Sequence, residues 1–374
     1  MKKSYLLMAA AAAMFAACSE NEVLNVAPET APNAIGFSTF AGKATRAENN
    51  HTSYTWDLED HHNSFTVYAG KLVEGTTQAV YSDAKEGTVT CSGGNWGASP
   101  LKYWDKTATE YYFYAGAPAN ASWQFAMTAT DDYSKGYLKY EYFTLAGENI
   151  ADGTANHYDT WAADRGTNDV DLMIAAPNTV GRAAYNKATP DLVTMQFNHI
   201  LSRLNIKVKK GANIDPAHAL ELTSLTVYGL KNKGSFDENK AVADQTAKNT
   251  RWYDQDVDGT YELTAASTSA ITDAVFTHQY LVIPQDAAVV ADVDIDGTTP
   301  TMTTAPYFRI DYTIDGEAYF AYYNLAAAFS ASGKLAFCEG WENTLTITIN
   351  PAVIEFDAIV AKWEQDQTKG KELN

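Results

Sequence analysis

Beyond residue 60, apolar and polar positions alternate with a period of two along almost the whole chain. In Leu204-Asn205-Ile206-Lys207-Val208, and again in Leu345-Thr346-Ile347-Thr348-Ile349, every second side chain is apolar. That is the pattern of a strand with one buried and one wetted face. The same reading predicts strands over 64–69, 110–115, 138–145, 171–175, 192–197, 200–208 and 220–230. It continues through 280–284, 289–295, 307–314, 317–323, 344–349 and 354–360. Asp315-Gly316, set between two aromatic-rich runs, is a two-residue hairpin signal. Outside the N-terminus no stretch longer than two turns shows a 3.6-residue period. Short alternating strands separated by turn residues predict an all-β protein made of sandwiches. At 374 residues the chain is too long for one core. A junction near Lys210-Gly211-Ala212 would divide it into domains over 35–210 and 211–374.

The N-terminus follows a different pattern. Lys2 and Lys3 precede an uncharged, mostly apolar run from Tyr5 to Ala17. A permanent membrane helix needs about 20 residues, so residues 1–17 are expected to be a secretory signal. The run ends in Phe15-Ala16-Ala17-Cys18. Small residues before a cysteine resemble the bacterial lipobox, in which the thiol is thioether-linked to diacylglycerol before cleavage ahead of it. Cys18 is thus the expected lipidation site. Residues 18–34 are polar, contain prolines and read as a tether. Ile35-Gly36-Phe37-Ser38-Thr39-Phe40 is a further strand candidate, and it runs into Gly42-Lys43-Ala44-Thr45-Arg46-Ala47. An arginine in such a small-residue linker is a good protease site, with Arg46 and Ala47 on either side of the cut.

Composition narrows the partners. Lys and Arg number 27 against 46 Asp and Glu, a net charge of −19. A polyanion needs a basic footprint, so nucleic acid is excluded as a partner, and adhesion to anionic lipid by charge is disfavoured. The 23 Tyr, 15 Phe and 8 Trp suit pleated surfaces. Three Cys cannot build a disulfide framework, and Cys91 and Cys338 are expected as two buried thiols.

Candidate chemistry is sparse. Asp292–Gly297 and Asp254–Gly259 match the first half of a calcium loop, but Thr303 and Ala265 stand where a bidentate Glu is needed. Asp-Gly turns are the expectation for both. His61-His62 beside Asp60 lacks a third metal ligand at a recognisable spacing and reads as a solvated loop. His199, in an apolar strand, reads as a hydrogen-bonded structural histidine. Ser82-Asp83-Ala84-Lys85 fits S-x-x-K but lies in a polar turn without the companion K-T-G. No nucleophile elbow, zinc-protease, Walker or dinucleotide motif is present, so neither an enzyme nor a cofactor is expected. The competing reading is a surface glycan binder with Trp96, Trp104, Trp123, Trp161 and Trp252 as sugar platforms, although core or rim packing is the expectation for most of them.

Several pieces in order resemble the fimbrillin-like proteins, the lipoprotein pilins of type V pili in Bacteroidales. They are the lipobox at Cys18, the Ile35-Gly36-Phe37 strand followed by Thr45-Arg46-Ala47, and Asp171-Leu172-Met173-Ile174-Ala175. Then come Met195–Leu204, Tyr280-Leu281-Val282-Ile283-Pro284-Gln285, and Gly340-Trp341-Glu342-Asn343 through Ile349 to Trp363. The resemblance implies two tandem transthyretin-like β-sandwiches on a palmitoylated lipoprotein in the outer membrane, exposed at the cell surface. It also implies that an Arg-specific protease cuts after Arg46 and releases the first strand, about Ile35–Arg46. Other pilin subunits then join, as a homo- or hetero-polymer, by donating a strand to the vacated groove. The donor lies at the C-terminus, here Ile354–Trp363, followed by a short polar tail. The implied product is an adhesive fimbria.

Overall fold

A computed structural model describes residues 33–41, 58, 62–147, 169–212, 214–215, 217–240, 251–256, 262–270, 276–288, 306–325, 334–350 and 354–362. The chain is all-β. Among the described residues the helical turns are Tyr133–Lys135 and Arg182–Tyr185. Most predicted strands form, at the predicted bounds, extended, shortened or shifted by a few residues. Examples are Ser64–Val73, Glu110–Ala117, Val193–His199, Ser202–Lys210, Tyr307–Ile314 and Trp341–Ile349. The strand expected over 289–295 lies outside the described residues. Asp315 and Gly316 take φ of 53° and 84° and join Tyr307–Ile314 to Glu317–Asn324. Positive φ at both central positions gives the turn a twist that matches the strands it joins.

Seven strands near the N-terminus hydrogen-bond in an order that returns on itself. The order is Glu110–Ala117, Met173–Ala175, Val193–His199, Phe37–Ala41, Asn95–Ser99, Thr88–Ser92, Ser64–Val73, and back to Glu110–Ala117. Closure leaves these strands no open edge. One apolar cluster takes the inward residues, among them Phe65, Val67, Phe113, Ala115, Met195 and Phe197. Tyr68, Tyr112 and Tyr114 alternate with them and belong to a second cluster, so Glu110–Ala117 is buried on both faces. Trp123 packs over that outer face, and a Cβ on Gly116 would meet its ring at 2.3 Å. Only glycine allows so close an approach.

Trp123–Met127 and Gly136–Thr144 pair onward with Lys233–Asp237 and Trp252–Asp256 in one sheet. Two further four-stranded sheets follow. One orders Phe276–Val282, Ser202–Lys210, Trp341–Ile349 and Ile354–Lys362; the other orders Glu262–Ala270, Leu220–Tyr228, Tyr307–Ile314 and Glu317–Asn324. Leu204, Ile206, Val208, Leu225, Val227, Phe308, Ile310, Leu345 and Ile347 from both enter one core. The junction expected at Lys210 falls at the end of a strand whose partners, Phe276–Val282 and Trp341–Ile349, both lie beyond it. Partners change earlier, between His199 and Ser202.

Arg203 is 1% exposed in this core and donates to the Glu342 carboxylate, its register partner on the parallel neighbour. Asn205 Nδ2 donates to the same carboxylate. Removing one member of a buried pair strands the other charge away from water. Glu342→Ala should therefore cost about 3–5 kcal/mol of stability in urea titration. A loss under about 1 kcal/mol would mean that the guanidinium finds water.

Candidate functional site

The leading strand Phe37–Ala41 is held unequally on its two sides. Along one it makes a five-residue parallel ladder, Phe37↔Val193 to Ala41↔Phe197. Along the other, Phe37↔Trp96 is the one register pair with Asn95–Ser99. Ahead of the strand, Ile35 N donates to Lys102 O at 2.9 Å, Trp104 N to Asn33 O at 2.9 Å, and Val193 N to Gly36 O at 2.8 Å. Ile35, Phe37 and Thr39, two residues apart, point into the ring and are buried. The Phe37 ring sits in an aromatic cage. Phe65 and Phe113 meet it edge-on with centroids at 5.7 and 6.1 Å, and Tyr81 lies at 6.4 Å. Leu58 N donates to Thr39 Oγ1 at 3.3 Å. The strand is thus one stave of a closed ring, seated in a slot that takes a large aliphatic, an aromatic and a small β-branched side chain in turn.

At the far end of the slot three buried titratable groups meet. His199, the last residue of the parallel partner strand, engages Asp171 Oδ2 through Nδ1 at 2.6 Å. His62 Nε2 engages the Asp171 carbonyl oxygen at 2.7 Å, and this bond to an acceptor fixes Nε2 as the protonated nitrogen. His62 N donates to Leu58 O at 2.7 Å, and Leu58 N to Thr39, so the cluster is linked to the leading strand. His199 is the structural histidine expected. His62 is not the solvated residue expected: it is buried, and His61 lies outside the described residues. An alternating strand pattern cannot show that a residue just before a strand turns inward.

Burial lowers the pKa of His62 below the ordinary histidine value, against the pull of Asp171, while His199 adds to the lowering. The sign for stability follows. Below about pH 6.5 the unfolded chain takes up a proton that the folded chain resists, so stability falls as the pH drops below that value. Denaturation midpoints measured from pH 8 to pH 5 should show this, with a contribution of up to about 1.4 kcal/mol per pH unit. His62→Gln keeps an N–H donor for the Asp171 carbonyl but does not titrate, and should remove that part of the slope. An unchanged slope would assign the acid sensitivity elsewhere.

The remaining candidates sort themselves by burial. Trp96, Trp104, Trp123 and Trp252 are all buried, so these four are not sugar platforms; Trp161 lies outside the described residues. Trp123 Nε1 donates to Pro118 O at 3.1 Å and Trp252 Nε1 to Ile200 O at 2.9 Å, as ring N–H groups do inside a core. Cys91 and Cys338 are not bridged, and both are partly exposed where burial was expected. Ser82 donates to Glu86 at 3.3 Å. Of the calcium-like stretches, 292–297 and 257–259 lie outside the described residues. Among the described residues no three His, Cys, Asp or Glu side chains converge on a metal-sized site. No helix there is long and apolar enough to cross a membrane. Cys18, Arg46 and Ala47 also lie outside the described residues.

The profile of the family described as Fimbrillin-like matches residues 45–363. A curated relative, fimbrium subunit Fim1C of Phocaeicola vulgatus, is 25% identical over 292 residues, which span 75% of this chain and 69% of that protein. A solved fimbrial protein from Bacteroides vulgatus aligns with a TM-score of 0.49 at 15% identity, over 88% of this chain and 99% of its own. The tip fimbrial protein Mfa3 from Porphyromonas gingivalis, solved with a C-terminal truncation, gives 0.35 at 10% identity, over 82% and 96%.

Proposed function

The chain belongs to the fimbrillin-like family of fimbrial subunits, and from that membership we propose that it is a lipoprotein pilin assembled by strand exchange. In this reading residues 1–17 direct export and Cys18 carries the lipid that holds the subunit at the outer membrane. A protease cuts between Arg46 and Ala47, the leading strand departs, and a strand from another pilin subunit takes its place. The body is a tandem of transthyretin-like sandwiches.

One observation carries the reading. The slot accepts Ile35, Phe37 and Thr39 at alternate positions, and Ile354-Glu355-Phe356-Asp357-Ala358 repeats that order of sizes at the same spacing. The last described strand, Ile354–Lys362, is an edge strand that among the described residues pairs with Trp341–Ile349 alone. In register, Ile354, Phe356 and Ala358 pair with Ile349, Ile347 and Leu345. Read backwards, the segment puts Ala358 in the place of Ile35 and Ile354 in that of Thr39; shifted by one, it puts a carboxylate in the aromatic cage. A copy of this chain therefore holds a strand that suits the slot in the direction of the leading strand, parallel to Val193–His199. Each large side chain seated there is worth about 1.5–3 kcal/mol of burial, and the unpaired edge regains main-chain bonds.

The test is the N-terminal residue of protein taken from monomers and from fimbriae on the cell surface. Lipid-modified Cys18 on the monomer and Ala47 in the fimbria are the expected pair. Fimbriae whose subunits still carry residues 35–46 would overturn the reading.

A further inference from the structure

Two large apolar side chains stand in water at the mouth of the slot. Tyr103 is 57% exposed and forms an isolated bridge with Ala34, just before the leading strand. Leu192 is 47% exposed, on the residue before Val193, and its Cδ2 lies over the bare face of Gly36. They flank residues 34–36 from opposite sides, because Lys102–Trp104 and Val193 hydrogen-bond to that segment from opposite sides. The interior needs neither of them. With Ile35 and Phe37 already buried, these two side chains extend the apolar track of the slot onto the surface.

Chain length says what meets them. In the strand-exchange reading, on which this inference rests, Ile354 of an incoming copy takes the position of Ile35. Only Asn350-Pro351-Ala352-Val353 separates Ile354 from Ile349, the end of a core strand in that copy's own body. Five residue steps span about 17 Å at most. The donor's body is therefore held at the mouth of the slot and not at its far end. Its linker must pass Tyr103, which pairs with the position Val353 would take, and reaches the edge of Leu192, which lies beside the position of Glu355; that linker is apolar over Pro351-Ala352-Val353. Glu355 would stand where Gly36 does, and a Cβ there meets Leu192 Cδ2 at 2.7 Å. The leucine side chain must then shift off that position.

We infer that Tyr103 and Leu192 form a docking patch for the Pro351–Val353 linker of a second copy, so that subunit contact extends beyond the exchanged strand. The patch gives the interface a check on identity. A strand of suitable pattern fills the slot, but only one preceded by a short apolar linker also covers the mouth.

Two synthetic peptides, residues 350–363 and residues 354–363, separate this inference from its premise. They are titrated against the chain treated with an Arg-specific protease, as wild type and as the Tyr103→Ser, Leu192→Ser double variant. The long peptide should bind the wild type about tenfold more tightly than the short one. The variant should bind both alike, at the affinity of the short peptide for the wild type, which also shows that its slot is intact. Equal affinity of the two peptides for the wild type would overturn the docking patch and leave strand exchange standing. The same holds if the tenfold advantage persists in the variant. Binding of neither peptide would overturn both.

Discussion

Phe37→Ala should destabilise the uncleaved chain by about 3–5 kcal/mol, the cost of emptying a fully packed aromatic site. The side chain is 3% exposed, and three rings close around it. Those rings belong to three different strands, Ser64–Val73, Thr76–Tyr81 and Glu110–Ala117, and cannot all move inward to fill the void. A folded domain is stable by only about 5–15 kcal/mol, so the loss is a large share of the total. The same substitution should have no effect on assembled protein, because residue 37 leaves with the leading strand. Urea denaturation of the purified uncleaved chain measures the first statement, and denaturation of fimbriae grown from the variant measures the second. Phe356→Ala should reverse the pattern and weaken the fimbria more than the monomer. Equal destabilisation of monomer and fimbria by Phe37→Ala would mean that the leading strand never leaves.

Arg46→Ala should leave the chain uncut by an Arg-specific protease and wholly monomeric, where the wild type yields Ala47 as its new N-terminus and a ladder of oligomers. While the leading strand is tethered, it competes for the slot at the millimolar effective concentration of a short linker. A strand from another molecule competes only at its own concentration and loses. Scission ends that advantage. By this argument the place of the cut matters less than its occurrence beyond Ala41. Lys43 lies between Ala41 and Arg46, so trypsin, which also cuts after lysine, should restore the ladder to the Arg46→Ala variant with Ala44 as the N-terminus. Oligomers of the variant formed without any cut would sink the mechanism. A cut at Lys43 that yields only monomers would do the same.

The strands most legible in the sequence were those with one dry face. Leu345, Ile347 and Ile349 lie where their alternation puts them, and Asp315-Gly316 makes the hairpin its residue types require. Strands without alternation were missed. Thr88–Ser92 and Asn95–Ser99 are short, polar and joined through Gly93-Gly94, whose positive φ values of 58° and 79° make the turn. Their membership of the ring is decided by strands far away in sequence. Trp252–Asp256 carries three polar residues and is ordered by the sheet it joins. His62 was misplaced for a related reason. Side-chain type sets a preference for the interior, but only the packing of distant segments says which polar neighbours end up inside with it.

By itself the sequence determined the all-β class, the pairing signals, and the leading strand as a strand. These follow from local rules, namely the two-residue period of a pleat and the φ range open to glycine. The tertiary structure alone decided that the leading strand is a stave of a closed ring, parallel to Val193–His199 and bound by a single register pair on its other side. It alone brought Phe65, Tyr81 and Phe113 around Phe37, and His62, Asp171 and His199 to the far end of the slot. Such contacts join residues dozens of positions apart, and their formation depends on burying apolar surface shared among several strands. No window of local sequence contains that sum.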